Sequence, residues 1–317
     1  MKKRSSFYVL AVLMALLVPG GWTPTIAQDA ESWKLGTFAI DTTPPVGHLL
    51  FTGGFQKAKG VTSRLEARGF VLIPPSDAKN GKSFVVCSFD WGEIRNDAYD
   101  SLRGALAKAA GTHRERVMIC SIHQHDTPLA DLTAEKFLVE AGSEHQSISK
   151  DFFSDVQQRL ASGVEKAVKD AGSVTHYGVG KGKVERIASN RRYVLEDGSV
   201  HYNRGSATKN LSAQRAPEGD VDPWLRTLSF WNGDQALCAL SVYATHPMSF
   251  YRTGKVDADF PGLARRKRQS DEEEVFQIYA SGCSGNVTAG KYNDGTQANR
   301  QPLADRLYQG MVDAWAD

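Results

Sequence analysis

Four short apolar runs in this chain each stop abruptly at polar residues, and that pattern constrains the fold more than any other feature. Residues 83–89 end at Asp90, and 116–122 end at His123-Gln124-His125. Residues 236–243 end at Ala244-Thr245-His246, and 275–280 run into the Gly/Ser/Asn/Thr stretch around Asn286. Runs this short, rich in branched and aromatic side chains, read as buried strands. Residues 34–41 and 65–73 read as strands too, and residues 225–231 and 236–243 as a hairpin about Asn232-Gly233. Helical stripes lie between. Tyr99, Leu102, Leu106 and Ala109 form one, with Gly111 after it. Phe153, Val156, Leu160, Val164, Ala167 and Ala171 form another, closed by Gly172, and residues 302–315 form a last amphipathic helix. A further helix is expected after Pro261. Its charge runs at 265–268 and 271–274 read as a solvated face. Strands mixed with helices define an α/β chain: a layered sandwich of mixed β-sheet flanked by helices.

The first 27 residues stand apart. Lys2, Lys3 and Arg4 precede an apolar stretch at 7–18, and Thr25-Ile26-Ala27 offers small residues for cleavage. This is the pattern of a secretory signal peptide, so residues 28–317 are expected as the mature domain, secreted or periplasmic. Losing three cations turns the formal charge of +2 into −1. No basic stripe remains to suggest nucleic-acid binding. Three of the four cysteines, Cys87, Cys120 and Cys238, sit in apolar runs, where thiols pack as small hydrophobes.

The polar strand ends carry the chemistry. In open α/β sheets ligands lie beyond the carboxyl ends of strands, and four polar ends imply one shared pocket. Residues two apart on an extended segment point the same way, so His123 and His125 can face that pocket together. His246 adds the remote nitrogen that a zinc site needs. Small residues at Gly282, Ser284 and Gly285 leave N–H groups open to an oxyanion, or else make a tight strand-to-helix turn. The window Gly282-Cys283-Ser284-Gly285-Asn286 does not fit a nucleophile elbow. His123-Gln124-His125-Asp126-Thr127-Pro128 lacks the final histidine of metallo-β-lactamase-type hydrolases.

Taken in order, these pieces resemble the catalytic part of the neutral/alkaline non-lysosomal ceramidases. The resemblance rests on Asp41-Thr42-Thr43-Pro44-Pro45, residues 64–69, residues 88–90 and residues 121–128. It continues through Asn190-Arg191, Ala244-Thr245-His246 and Gly285-Asn286-Val287-Thr288. It implies a zinc-dependent amidohydrolase that cleaves the N-acyl bond of ceramide or a related lipid amide, with zinc as cofactor. It implies His123 and His246 as zinc ligands, His125 as the residue that activates water or protonates the leaving amine, and Arg191 and Thr288 as further catalytic residues. A lipid substrate leaves room for peripheral membrane contact, and no feature sets the oligomeric state. Two departures matter. Asn286 and Thr288 stand where the family has aspartate and serine. The glutamate and tyrosine that complete the family's zinc site come later than Asp317, so the sequence reads as a short relative. Asp90, Asp257 or Asp259 are the substitutes at hand. The competing readings are a catalytically impaired relative that binds a metal or small molecule, and a metal-independent hydrolase using Thr288 or Ser284.

Overall fold

The structure is a computed structural model that describes residues 32–79, 81–143 and 148–317. The expected leader at 1–27 lies outside the described residues. Nine principal strands form two sheets. They are β1 (Trp33–Asp41), β2 (Glu66–Ile73), β3 (Phe84–Phe89), β4 (Val117–Ser121), β5 (Gly172–Val174), β6 (His176–Lys183), β7 (Trp224–Asn232), β8 (Gln235–Tyr243) and β9 (Phe276–Ser281). The first sheet runs β5-β1-β2-β3-β4 and the second β6-β7-β8-β9. The helices are α1 (Asn96–Ala109), α2 (Leu132–Glu140), α3 (Lys150–Lys169), α4 (Leu211–Arg215), α5 (Asp259–Asp271) and α6 (Arg300–Ala316).

The layers follow from where the apolar residues go. One core, with Phe38, Val71, Val85 and Cys87, packs the first sheet against Leu102 and Leu106 of α1 and Val156, Leu160 and Val164 of α3. A second packs Leu225 and Tyr243 of the other sheet against Ala264 of α5 and Leu303, Leu307 and Met311 of α6. A third lies between the sheets, joining Leu35 and Phe70 to Phe230, Leu240 and Ile278. The chain is therefore a helix–sheet–sheet–helix sandwich, the layered α/β arrangement expected from the apolar runs. Each fully buried Leu or Phe contributes about 1.5–3 kcal/mol relative to exposure. Direct bonds also cross between the sheets: Ser88 Oγ donates to the Tyr279 carbonyl at 2.7 Å and Arg68 Nε to that of Gln277 at 2.8 Å.

Both sheets share one order of elements. In each, three successive strands pair antiparallel: β1 with β2 with β3, and β6 with β7 with β8. A helix then crosses over (α1 or α5) to a strand parallel to the third, β4 or β9. A last helix, α3 or α6, returns over the first strand. Glycine makes that return tight in both places. A Cβ at Gly36 would lie 1.8 Å from the Ala167 carbonyl oxygen of α3, and one at Gly180 would lie 2.0 Å from that of Ala314 in α6.

Three local expectations need correction. Gly172 does not cap α3; that helix ends at Lys169, and Gly172 opens β5. Helix α5 starts at Asp259, before Pro261, which sits in its first turn, where its missing N–H costs no helical bond. The charge runs at 265–268 and 271–274 are a solvated face only in part: Lys267, Asp271, Glu273 and Glu274 are exposed, but two arginines are buried. Arg265 is 2% exposed and Arg268 4%. Arg265 grips Asp90 at 2.8 and 2.9 Å and Glu66 at 2.7 Å. Its carboxylate partners lie some 200 residues away in sequence, so no local pattern announces the pairing.

Candidate active site

The His-x-His segment begins as a continuation of the first sheet. The Ile122 N–H donates to the Phe89 carbonyl at 2.9 Å and that of His123 to Trp91 at 3.0 Å. The strand has ended by then. His123 adopts φ +76° and Asp126 φ +61°. These are left-handed conformations that a non-glycine residue holds only where its surroundings enforce them. Here they do. Asp126 N–H donates to the Phe51 carbonyl and Phe51 N–H to Thr127, both at 2.8 Å. The Gln124 amide is buried against the Ala258 carbonyl at 3.2 Å. The His123 and His125 rings therefore lie side by side, aimed by a bent loop rather than by strand alternation.

Three imidazoles meet there. His123 and His246 have ring centres 5.0 Å apart, and His123 and His125 5.4 Å, both pairs edge to face. His246 arrives from the end of β8, its N–H donating to the Val287 carbonyl at 3.0 Å. Phe51 lies 4.6 Å from the His125 ring and Tyr251 5.0 Å from it.

The backbone fixes which nitrogen is bare on two of the rings. His123 Nδ1 lies 2.9 Å from the Gly92 carbonyl oxygen, with the Glu93 carboxylate 3.6 Å away. His246 Nδ1 lies 2.6 Å from the Ser284 carbonyl and 3.2 Å from that of Val287. A carbonyl oxygen can only accept, so each Nδ1 carries the proton and each neutral ring keeps its lone pair on Nε2. Burial pushes the pKa of His246 down to about 4, helped by the charges of Arg191 and then His123. Burial does the same to His125, also to about 4, with His123 the next contributor. His125 and His246 are thus neutral bases at neutral pH.

Arg191 borders His246. Its N–H donates to the Asn286 carbonyl at 2.8 Å, while its buried Nε has no hydrogen-bond partner. Thr288 pairs with His246 through an isolated backbone bridge and is fully buried. Its hydroxyl is occupied, donating to the Gly205 carbonyl at 2.8 Å and accepting from the Gly290 N–H at 3.0 Å. Ser284 is half-buried and supplies the carbonyl that orients His246. Asn286 accepts from Arg192 Nε at 3.1 Å and donates to Asn190.

The three aspartates expected as substitute ligands are committed elsewhere. Asp90 is wholly buried under Arg265. Asp257 pairs with Arg300, and Asp259 accepts from the Ser249 N–H at 2.9 Å. Among the described residues no group of three or more His, Cys, Asp or Glu is placed to hold a metal ion. His123 and His246 contribute two oriented nitrogens. Residues missed at the sequence level are Phe51, Gly92, Glu93 and Tyr251. Gly92 and Glu93 directly follow the Asp90 strand end, which was the one local signal for them. A separate cavity of about 610 Å³ runs between β1 and α3 and touches none of these residues.

The fold and pocket define a class, an α/β sandwich with an imidazole cluster at the strand ends. The sequence model of the neutral/alkaline non-lysosomal ceramidases, N-terminal part, matches residues 33–290, and the chain belongs to that family. Two solved structures share its fold. The neutral ceramidase from Pseudomonas aeruginosa superposes with a TM-score of 0.68 at 17% identity, over 90% of this chain and 45% of its own. A ceramidase complexed with C2 superposes with a TM-score of 0.67, also at 17% identity, over 90% of this chain and 44% of its own. The chain thus spans less than half the length of these solved ceramidases. No curated protein sequence matches it.

Proposed function

We propose that this protein is an exported, zinc-assisted hydrolase that cleaves the N-acyl amide bond of ceramide or a related lipid amide. One observation carries the reading: two imidazoles from different sheets face each other with Nδ1 tied to backbone carbonyls. That arrangement leaves both Nε2 atoms free, as metal-binding histidines require. His123 and His246 would hold the metal. A bound zinc ion would polarise the amide carbonyl and make water acidic enough to attack it near neutral pH.

The rest falls to this chain's own side chains. His125 is neutral at neutral pH and packed beside His123, so it can accept a proton from water and return it to the leaving nitrogen. Hydrolysis breaks the acyl C–N bond and forms a C–O bond, giving a carboxylic acid and an amine. Arg191, charged and without a carboxylate partner among the described residues, is placed to hold a substrate oxygen near His246. Phe51 and Tyr251 give the pocket apolar walls against which an acyl chain can pack.

Thr288 enters this scheme as a support rather than a nucleophile, because its hydroxyl proton is already given to Gly205. The metal-independent alternative therefore draws no support from its geometry. Export is proposed from the leader pattern at 1–27, and lipid contact at a membrane surface from the substrate class. The test is turnover of short-chain ceramides and other N-acyl amides by the purified protein and by His125→Ala. The variant should lose about 10²–10⁴-fold in kcat. Equal turnover by both proteins would place the chemistry elsewhere.

A further inference from the structure

The flank of the pocket at Tyr251 carries cations that meet no carboxylate among the described residues. Several buried arginines of the fold meet carboxylates, Arg68 with Glu66, Arg265 with Asp90 and Arg300 with Asp257, and the buried Arg204 is held by backbone carbonyls, whereas Arg252 and Lys255 are exposed. Neither Arg191 nor Arg252 forms an ion pair among the described residues. Lys255 forms none either. The nearby carboxylates are occupied. Glu93 pairs with Arg95, Asp257 with Arg300, and Asp126 accepts from the Thr253 N–H at 2.9 Å and hydroxyl at 2.8 Å. Arg252 and Lys255 thus line the cavity without a carboxylate partner, its one lining carboxylate, Asp257, being held by Arg300.

Arg252 is held in place rather than left to wander. It adopts φ +65°. Its Nε donates to the Thr52 carbonyl at 3.2 Å, and its guanidinium lies 5.5 Å from the centre of the Tyr251 ring. Asp126, next to His125, anchors the following residue. Two ties therefore fix Arg252 relative to the imidazoles. Tyr251 is shared between the two features. Its ring touches His125, and it lines a cavity of about 410 Å³ together with Arg252, Lys255 and the Arg300–Asp257 pair. A cavity lined by two cations without carboxylate partners has an anion as its electrostatic complement.

We propose that this cavity is a subsite for an anionic group of the substrate, a carboxylate or a phosphate, and that Arg252 determines the preference for it. The proposal rests on the amide-hydrolase reading for where the scissile bond lies. The substrate class becomes N-acyl compounds whose amine portion carries a negative charge.

Binding of three probes to the full chain tests this: N-octanoylglycine, N-octanoylethanolamine phosphate and uncharged N-octanoylethanolamine, each measured by titration calorimetry with turnover in parallel. At least one anionic probe should bind about tenfold or more tightly than the neutral one. Whichever anion shows the gap identifies carboxylate or phosphate. Arg252→Ala should erase the gap and Arg252→Lys keep part of it. Arg226→Ala, in an exposed ion pair with Asp222, should leave it intact. Equal binding of all three probes by the wild type, or binding of none, overturns the proposal. A gap that survives Arg252→Ala overturns the role of Arg252. Charge-selective binding without turnover of any probe supports the subsite and counts against amide hydrolysis, so the two readings fail separately.

Discussion

The two sheets use the same order of strands and helices, yet their strand ends do different work. In the first, the end of β3 holds Asp90 and the end of β4 leads to His123 and His125. In the second, the end of β8 leads to His246 and the end of β9 to the Ser284 loop. Asp90 is consumed by Arg265, a residue of the other half's crossover helix. His246, after the matching strand, keeps a free nitrogen. One half thus ties up the polar end of its third strand and leaves bare imidazoles after its fourth, and the other half leaves its imidazole after the third. Common topology brings the strand ends together; it does not say which of them reacts.

Breaking the Asp90–Arg265 pair should give the largest effect. Arg265→Ala would leave a buried carboxylate without its partner, and such losses cost about 3–5 kcal/mol. His246→Ala in metal-free protein should cost far less. Urea denaturation of both variants measures the contrast, and similar losses would erase the distinction drawn between the two strand ends.

Gly36→Ala and Gly180→Ala probe the shared architecture. Each new Cβ would fall about 2 Å from a helix carbonyl oxygen, and overpacking of this kind costs about 1–3 kcal/mol. Comparable drops in melting temperature are expected in the two halves. A drop in one alone would show that the closing helices are not held equivalently.

A smaller effect is expected with pH. The folded-state pKa values of His125 and His246 lie near 4, below the ordinary 6.5. Between those values the unfolded chain binds protons that the folded one refuses, so stability present above pH 6.5 is lost as pH falls towards 4. Melting of chelated protein should show this slope, and His125→Ala should flatten it. An unchanged slope would mean that His125 is not held neutral. Thr288→Ser should do least. It keeps the hydroxyl that bridges Gly205 and Gly290, and turnover should stay within a few-fold of wild type if Thr288 is a support.

The four apolar runs announced the buried strands because their composition leaves little alternative, and Asn232-Gly233 announced the hairpin by its turn chemistry, with Gly233 at φ +55°. The histidines were visible for the same reason: they interrupt apolar segments. What stayed hidden depends on contacts between distant parts of the chain. Arg265 read as solvent-facing because its neighbours are charged, although Asp90 lies 175 residues away. Asp257 and Asp259 looked free as ligands until Arg300 and Ser249 were seen to hold them. Tyr251 sits in a loop and Phe51 at the end of a three-residue strand, too short for periodicity to mark either as part of a pocket. The left-handed turn at His123 is likewise enforced from Phe51 and Trp91, not by its own sequence neighbours.

Metal content tests the central claim most directly. After growth with zinc and removal of loosely bound ions, elemental analysis of wild type, His123→Ala/His246→Ala and His125→Ala should find about one zinc per chain in the first, close to none in the second and nearly full occupancy in the third. Wild type without zinc, or a double variant that keeps it, would contradict the assignment of His123 and His246 as the residues that hold the metal.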